Sequence, residues 1–137
     1  MHEWALAEAV VETVEKLASK EGAEAIREVV VRVGELQQID LEVFEFALKT
    51  LVKNTIVEKA AIKIEVEEAV LKCGVCGFEW KYKDALSSLE EEVVEAIHFV
   101  PEVAHAYIKC PNCGSSDFKV VQGRGVYLER VVFNGES

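Results

Sequence analysis

Residues 61–77 read AIKIEVEEAVLKCGVCG, and the change of pattern inside this stretch decides the fold. The first half alternates. Ile62, Ile64 and Val66 fall on one side of an extended chain and Lys63, Glu65 and Glu67 on the other, as in a strand of a sheet with one face in water. The second half ends in a C-x-x-C turn followed by glycine. A second such turn, CPNCG, occupies residues 110–114, after which apolar strand character returns in GVYLERVVF, residues 125–133. A unit with a hydrophobic core is therefore broken open, filled with a unit held by cysteines, and resumed.

The rest of the first unit follows from periodicity. Residues 3–20 carry Leu6, Val10, Val14 and Leu17 at helical steps, with Glu8, Glu12, Glu15 and Lys16 elsewhere, which predicts an amphipathic helix. Gly22 suits its C-terminal cap. The β-branched run REVVVRVGEL, residues 27–36, predicts a strand with Val29, Val31 and Val33 on one face. Asp40 can N-cap a second helix whose stripe is Leu41, Phe44, Leu48 and Leu51. The expected class is α+β: two helices packed on a small β-sheet, residues 1–71 plus 124–137, with an inserted zinc-ribbon-like domain over residues 72–123.

Cys73 and Cys76 in one turn, and Cys110 and Cys113 in the other, have the spacing at which paired thiolates converge on one ion while backbone N–H groups point at sulfur. The glycine after each turn accommodates a positive φ. Four sulfurs suit zinc, with iron the alternative in a rubredoxin-like centre. A closed four-sulfur shell leaves no position for water, so a structural zinc is expected. The spacer between the turns is residues 77–109, 33 in all, against about 15–20 in common zinc motifs. Ser87 or Ser88 can N-cap a short helix over SLEEEVVEAIHFV, which makes residues 84–108 a helical insertion. Around it, FEWKYK sets Phe78, Trp80 and Tyr82 on one face of a short strand, and DFKVVQ supplies Phe118 and Val120 opposite; packing beside the metal is the expected role of these rings.

Charge narrows the partners. The 137 residues carry 25 acidic and 15 basic side chains, a formal charge of −10, which repels phosphate backbones; no nucleic acid is expected. No apolar run approaches the roughly twenty residues that span a bilayer, so no membrane association and a cytoplasmic location are expected. In that compartment cysteines serve as metal ligands more often than as disulfides. No H-E-x-x-H, Walker-type loop or G-x-S-x-G occurs, which argues against an enzyme.

Three histidines are present, and one is residue 2 of MHEWALAEAV. A terminal amine, the deprotonated amide of residue 2 and its imidazole can take adjacent corners of a square plane, a geometry that favours Ni(II) or Cu(II). A solvated or helix-capping histidine is the other reading. His98 and His105 lie in the insertion. His98 ends the apolar stripe of Leu89, Val93 and Ile97 ahead of Pro101, where its imidazole could supply a further nickel donor; His105 lies in the strand-like VAHAYIK and is expected to pack or hydrogen-bond. Two ordinary surface or packed histidines are the alternative.

Together MHEWALAEAV, VRVGELQQID, CGVCG and CPNCG resemble the HypA/HybF family of hydrogenase maturation nickel chaperones, over essentially the whole chain. The resemblance implies transient Ni(II) at Met1, His2 and Glu3, and structural Zn(II) at Cys73, Cys76, Cys110 and Cys113. It implies delivery of nickel to the [NiFe] hydrogenase large subunit with a HypB-type GTPase, by a monomer or homodimer. The long spacer departs from the shorter family pattern. A zinc-ribbon adaptor in transcription or RNA processing is the alternative that CPNCG by itself leaves open; it would hold one zinc and no exchangeable nickel.

Overall fold

The computed structural model describes residues 2–133. The order of elements is helix α1 (Glu3–Lys20), strand β1 (Ile26–Gly34), α2 (Leu41–Leu51), β2 (Ala61–Glu67), β3 (Val70–Cys73), β4 (Glu79–Lys81), α3 (Tyr82–Ser87), α4 (Glu91–Phe99), α5 (Ala104–Tyr107), β5 (Phe118–Gln122) and β6 (Val126–Phe133). Two compact units result. One comprises the chain up to Val33, Gln37–Val66 and the chain from Gly125; the other comprises Gly34–Leu36 and Glu67–Arg124.

In the first unit α1 and α2 pack on a three-stranded sheet of order β2-β1-β6. The helix ends are set by local chemistry. Asp40 accepts the backbone N–H groups of Glu42 at 3.0 Å and Val43 at 3.1 Å, satisfying two donors that the first turn of α2 leaves open. At the end of α1, Gly22 takes φ +67°, Gly22 N–H donates to Ser19 O and Ala23 N–H to Ala18 O, the paired closure known as a Schellman motif. The core joins Ala7, Val10, Val11, Val14 and Ala18 of α1 to Phe44, Ala47 and Leu48 of α2 and to Val29, Val31 and Val33 of β1. Alanines do much of the burying: Ala7 and Ala47 are fully enclosed, whereas Leu17 and Leu41 are exposed. The stripes expected on large residues are thus rotated toward small ones, because close approach of α1 and α2 needs alanine between the backbones. Val66 is likewise half exposed at the end of β2.

β6 returns antiparallel to β1 with an irregularity: Val30 pairs with Arg130 but Val31 with Leu128, so Glu129 is an extra residue on β6. The bulge shifts the phase, and Val126 and Leu128 before it and Val131 and Phe133 after it all reach the core. On the outer side Arg130 reaches Glu28 at 2.6 Å, Lys63 reaches the same carboxylate at 3.0 Å, and Arg32 pairs with Glu129.

In the second unit β3 is flanked by β4 and β5, both antiparallel to it. Pairing of β3 with these strands brings residues 67–71 into this unit, ahead of the boundary near Lys72 suggested by the first cysteine. The core is Leu71, Tyr82, Ile97, Ala104, Ile108 and Phe118, with Trp80 and Leu86 against it. Three expectations are corrected here. Tyr82 does not continue the strand of Phe78 and Trp80; β4 stops at Lys81, and Tyr82 opens α3 with its N–H on Ala69 O at 3.0 Å. The insertion holds three short helices instead of one, and Glu90, not Ser87 or Ser88, stands at the N-cap of α4; the Ser87 hydroxyl donates back to Asp84 O inside α3. His105 is on α5, not on a strand.

Three passes of the chain cross inside this unit. A Cβ placed on Gly123 would lie 2.3 Å from Ala69 Cα, and one on Gly34 would lie 2.2 Å from Gly123 O. Leu36 N–H donates to Gly123 O, Ala69 N–H to the Glu35 carboxylate and Gly123 N–H to the Glu67 carboxylate. Gly123 also holds φ +97°. Replacing Gly123 with alanine therefore combines a steric clash with backbone strain and should lower unfolding free energy by more than about 3 kcal/mol. Gly22→Ala meets no atom within 4 Å, so left-handed strain alone should cost about 1 kcal/mol. Chemical denaturation of the two variants beside the parent checks the difference.

Candidate metal centres

The two cysteine turns have matching backbones. In the first, Cys73 N–H donates to Phe78 O at 2.8 Å and Gly77 N–H to Cys73 O at 3.1 Å; in the second, Cys110 N–H donates to Ser115 O and Gly114 N–H to Cys110 O, both at 2.8 Å. Gly77 and Gly114 close the turns at φ +78° and +80°, a conformation that suits glycine. The turns are tied to each other through Gly74 N–H on Asp117 O at 2.8 Å.

This brings four sulfurs together. Cys73 Sγ lies 3.5 Å from Cys113 Sγ, Cys76 Sγ lies 3.6 Å from Cys110 Sγ, and all four are within 4.8 Å of one another. None forms a disulfide. Zinc bonded to four sulfurs at about 2.3 Å sets those sulfurs about 3.8 Å apart, so the donor set fits one tetrahedral ion. Cys73 and Cys110 are buried; Cys76 and Cys113 face solvent.

The electrostatics ask for a cation. The Cys73 thiol is lowered, first by the Cys76 N–H, and Cys76 comes down to about 6, first through the Asn112 amide on its sulfur and then through the Phe78 N–H. Cys113 goes the other way, up to about 12: the Ser115 N–H favours its thiolate, but hydrogen bonding to Cys73, burial and the crowding of Cys76 and Cys110 outweigh it. Four thiolates cannot coexist at this spacing without a positive charge among them. A divalent ion supplies it.

Of the residues expected to hold nickel, Met1 lies outside the described residues. His2 stands at the N-cap of α1, exposed, and makes no side-chain capping bond, which removes the capping alternative; its carbonyl accepts Leu6 N–H at 2.9 Å. Glu3 is buried, 6% exposed, with its carboxylate accepting the Asp40 N–H at 2.8 Å. That bond ties the start of α1 to the start of α2, a role the sequence reading missed; an acidic residue on the buried face of an amphipathic helix is its signal. His98 is exposed on the last turn of α4, in the second unit. His105 is committed to packing: its Nδ1 is 2.9 Å from Ser116 O and its ring stacks on Phe118 at 4.2 Å, itself edge-on to Trp80.

A family model described as hydrogenase/urease nickel incorporation, metallochaperone, hypA, matches residues 1–133. The chain belongs to the HypA family. The hydrogenase maturation factor HypA of Pyrococcus abyssi (strain GE5 / Orsay) is 53% identical over 137 residues, covering 100% of this chain and 99% of that one. The HypA of Thermococcus onnurineus (strain NA1) is 51% identical with the same coverage. These matches run through residues 77–109, so the long spacer is shared with such HypA relatives. The fold is that of the solution structure of the nickel metallochaperone HypA from Helicobacter pylori, with a TM-score of 0.63 at 24% identity over 99% of this chain and 100% of that one. Membership makes this chain a metallochaperone of hydrogenase maturation, not an enzyme, and a whole-chain HypA match displaces the adaptor alternative. Among the described residues no helix is long and apolar enough to cross a membrane.

Zinc loading at neutral pH should release protons, Cys113 being one source, and affinity should fall more steeply below about pH 6, where Cys76 too must give up a proton to bind. Zinc content by elemental analysis after dialysis across pH 5–8 checks this; flat retention would contradict it. Glu3→Ala leaves the Asp40 N–H without its acceptor and should cost about 1–3 kcal/mol in chemical denaturation, while Glu3→Gln, which keeps an acceptor, should cost less.

Proposed function

We propose that this protein binds one Ni(II) at its N-terminus and delivers it, in the cytoplasm, to the [NiFe] hydrogenase large subunit in cooperation with a HypB-type GTPase. The observation that carries the reading is His2: exposed, at the very start of a helix, with an imidazole that makes no capping hydrogen bond to its own turn. In this reading the amine of Met1, the amide and imidazole of His2 and the amide of Glu3 supply nitrogens in a plane, the donor type and geometry that Ni(II) prefers. Glu3 contributes through its backbone nitrogen, because its carboxylate already accepts the Asp40 N–H. His98, exposed and uncommitted to packing, is the further nitrogen that strengthens the site. The unit built of α1, α2 and the β2-β1-β6 sheet is the nickel-binding domain, and the four-cysteine unit is the zinc domain.

Partner binding has support in the surface beside His2. Trp4 and Phe46, 44% and 64% exposed, meet edge-on with ring centroids 6.0 Å apart, and exposed Leu41 lines a shallow groove with Phe46. An apolar patch of this kind marks an interaction face.

Nickel titration of the zinc-loaded protein should saturate at one Ni(II) per chain. His2→Ala, and separately one residue added before Met1, should each weaken binding at least tenfold, and His98→Ala less so with a changed d–d spectrum. Parental affinity in both N-terminal variants would overturn the site. Pull-down of the GTPase in each nucleotide state tests the partner, and its absence in every state would overturn that assignment.

A further inference from the structure

The four sulfurs are not equally supported. Cys73 is the acceptor of two N–H groups of its own turn, from Val75 at 3.3 Å and Cys76 at 3.5 Å, and it is buried. Cys110 is buried and accepts the Asn112 N–H at 3.4 Å. Cys76 is exposed, and a side chain from the other turn reaches it: Asn112 Nδ2 donates to Cys76 Sγ at 3.4 Å. Asn112 thus donates twice, through its backbone to the first cysteine of its own turn and through its side chain to the second cysteine of the opposite turn.

We propose that Asn112 is a positioning residue of the zinc site, its side-chain amide holding Cys76 in place and thereby setting how long the metal stays. The proposal rests on the reading of the four cysteines as a zinc site. A solvent-facing thiolate is the arm of such a shell that water, a proton or a competing chelator reaches first. A hydrogen bond to it has two effects. It fixes the sulfur's direction, as outer partners do for metal ligands in general, and it draws electron density from the sulfur, so that the thiolate is less open to attack. Both effects slow the first step of metal loss. Cys113, the other exposed sulfur, has the Cys73 sulfur beside it but no amide side chain reaching it among the described residues, so the Asn112 amide distinguishes the two exposed arms.

Asn112 is itself exposed and at the tip of a turn, so replacing it leaves the core of the unit intact. The test uses the full chain, zinc-loaded, with Asn112→Ala and Asn112→Asp; aspartate has the same shape but at neutral pH accepts only, and faces a thiolate with a negative charge. Both variants should still hold one zinc per chain, with transfer to a colorimetric chelator about three- to tenfold faster for alanine, the factor expected of one hydrogen bond, and faster again for aspartate. In the Co(II)-substituted proteins the sulfur-to-cobalt charge-transfer band should move to longer wavelength in both, because a sulfur relieved of its donor gives up an electron more readily; a loss of packing alone would not order the variants in this way. Parental transfer rates with an unmoved band would overturn the role of Asn112 while leaving the zinc site standing. A parent protein without four-sulfur charge-transfer intensity would overturn both.

Discussion

At Gly34, Ala69 and Gly123 three passes of the backbone come so close that no side chain fits between them. The chain ends its central strand at the first, enters the cysteine unit at the second and leaves it at the third. Everything built on either side depends on this crossing. Its polar groups are satisfied by side chains reaching locally, Glu35 to the Ala69 N–H and Glu67 to the Gly123 N–H, so that backbone enclosed too tightly for water still has partners. Gln37 likewise accepts the Gly125 N–H at 2.8 Å as the chain re-enters the first unit. An acidic protein uses these carboxylates as fasteners as well as for solubility.

The two metal sites answer different chemical requirements. The cysteine cluster is a closed shell: four soft donors, two of them buried, on turns with matching backbone hydrogen bonds, suited to an ion that stays. The proposed nickel site is open, made of nitrogen donors on the first residues of a helix, suited to an ion that leaves. Between its donors and the protein core stands Glu3, whose carboxylate anchors the start of α1 to the start of α2. His2 can thus be exposed to solvent on a helix start that is held in place.

Much of this was legible in the sequence, for identifiable reasons. The cysteine turns announce themselves because ligand spacing is a short-range property, and the Asp40 cap and the glycine ending α1 because capping is settled within five residues. What escaped depends on distance. Ala7 and Ala47 lie in the centre of the core, which nothing local signals: a small residue is favoured only because another helix passes there. Tyr82 continues an alternation begun by Phe78 and Trp80, yet a hydrogen bond to Ala69, remote in sequence, turns the chain into a helix. His105 packs and hydrogen-bonds as expected, but it does so from a helix, and its partners, the carbonyl of Ser116 and the ring of Phe118, are more than ten residues away. The extra residue in β6 had a visible sign, two adjacent polar residues, Glu129 and Arg130, inside an otherwise alternating strand, but the sign acquires meaning only once β1 lies beside it.

That bulge also bears on the order of assembly. β6 completes the first unit's sheet against a strand that precedes it by the whole of residues 35–125, and ion pairs such as Arg130 with Glu28 join residues 102 positions apart. Pairings of this separation form late and slowly, since loop-closure entropy must be met before any contact rewards it. Once the cysteine unit has folded, Gly34 at the end of β1 lies against Gly123 just ahead of β6, and the effective loop between the two strands contracts to a few residues, each halving recovering about 0.6 kcal/mol. Folding of the cysteine unit therefore favours closure of the last strand of the other unit, and the extra residue Glu129 ties that strand to one register against β1.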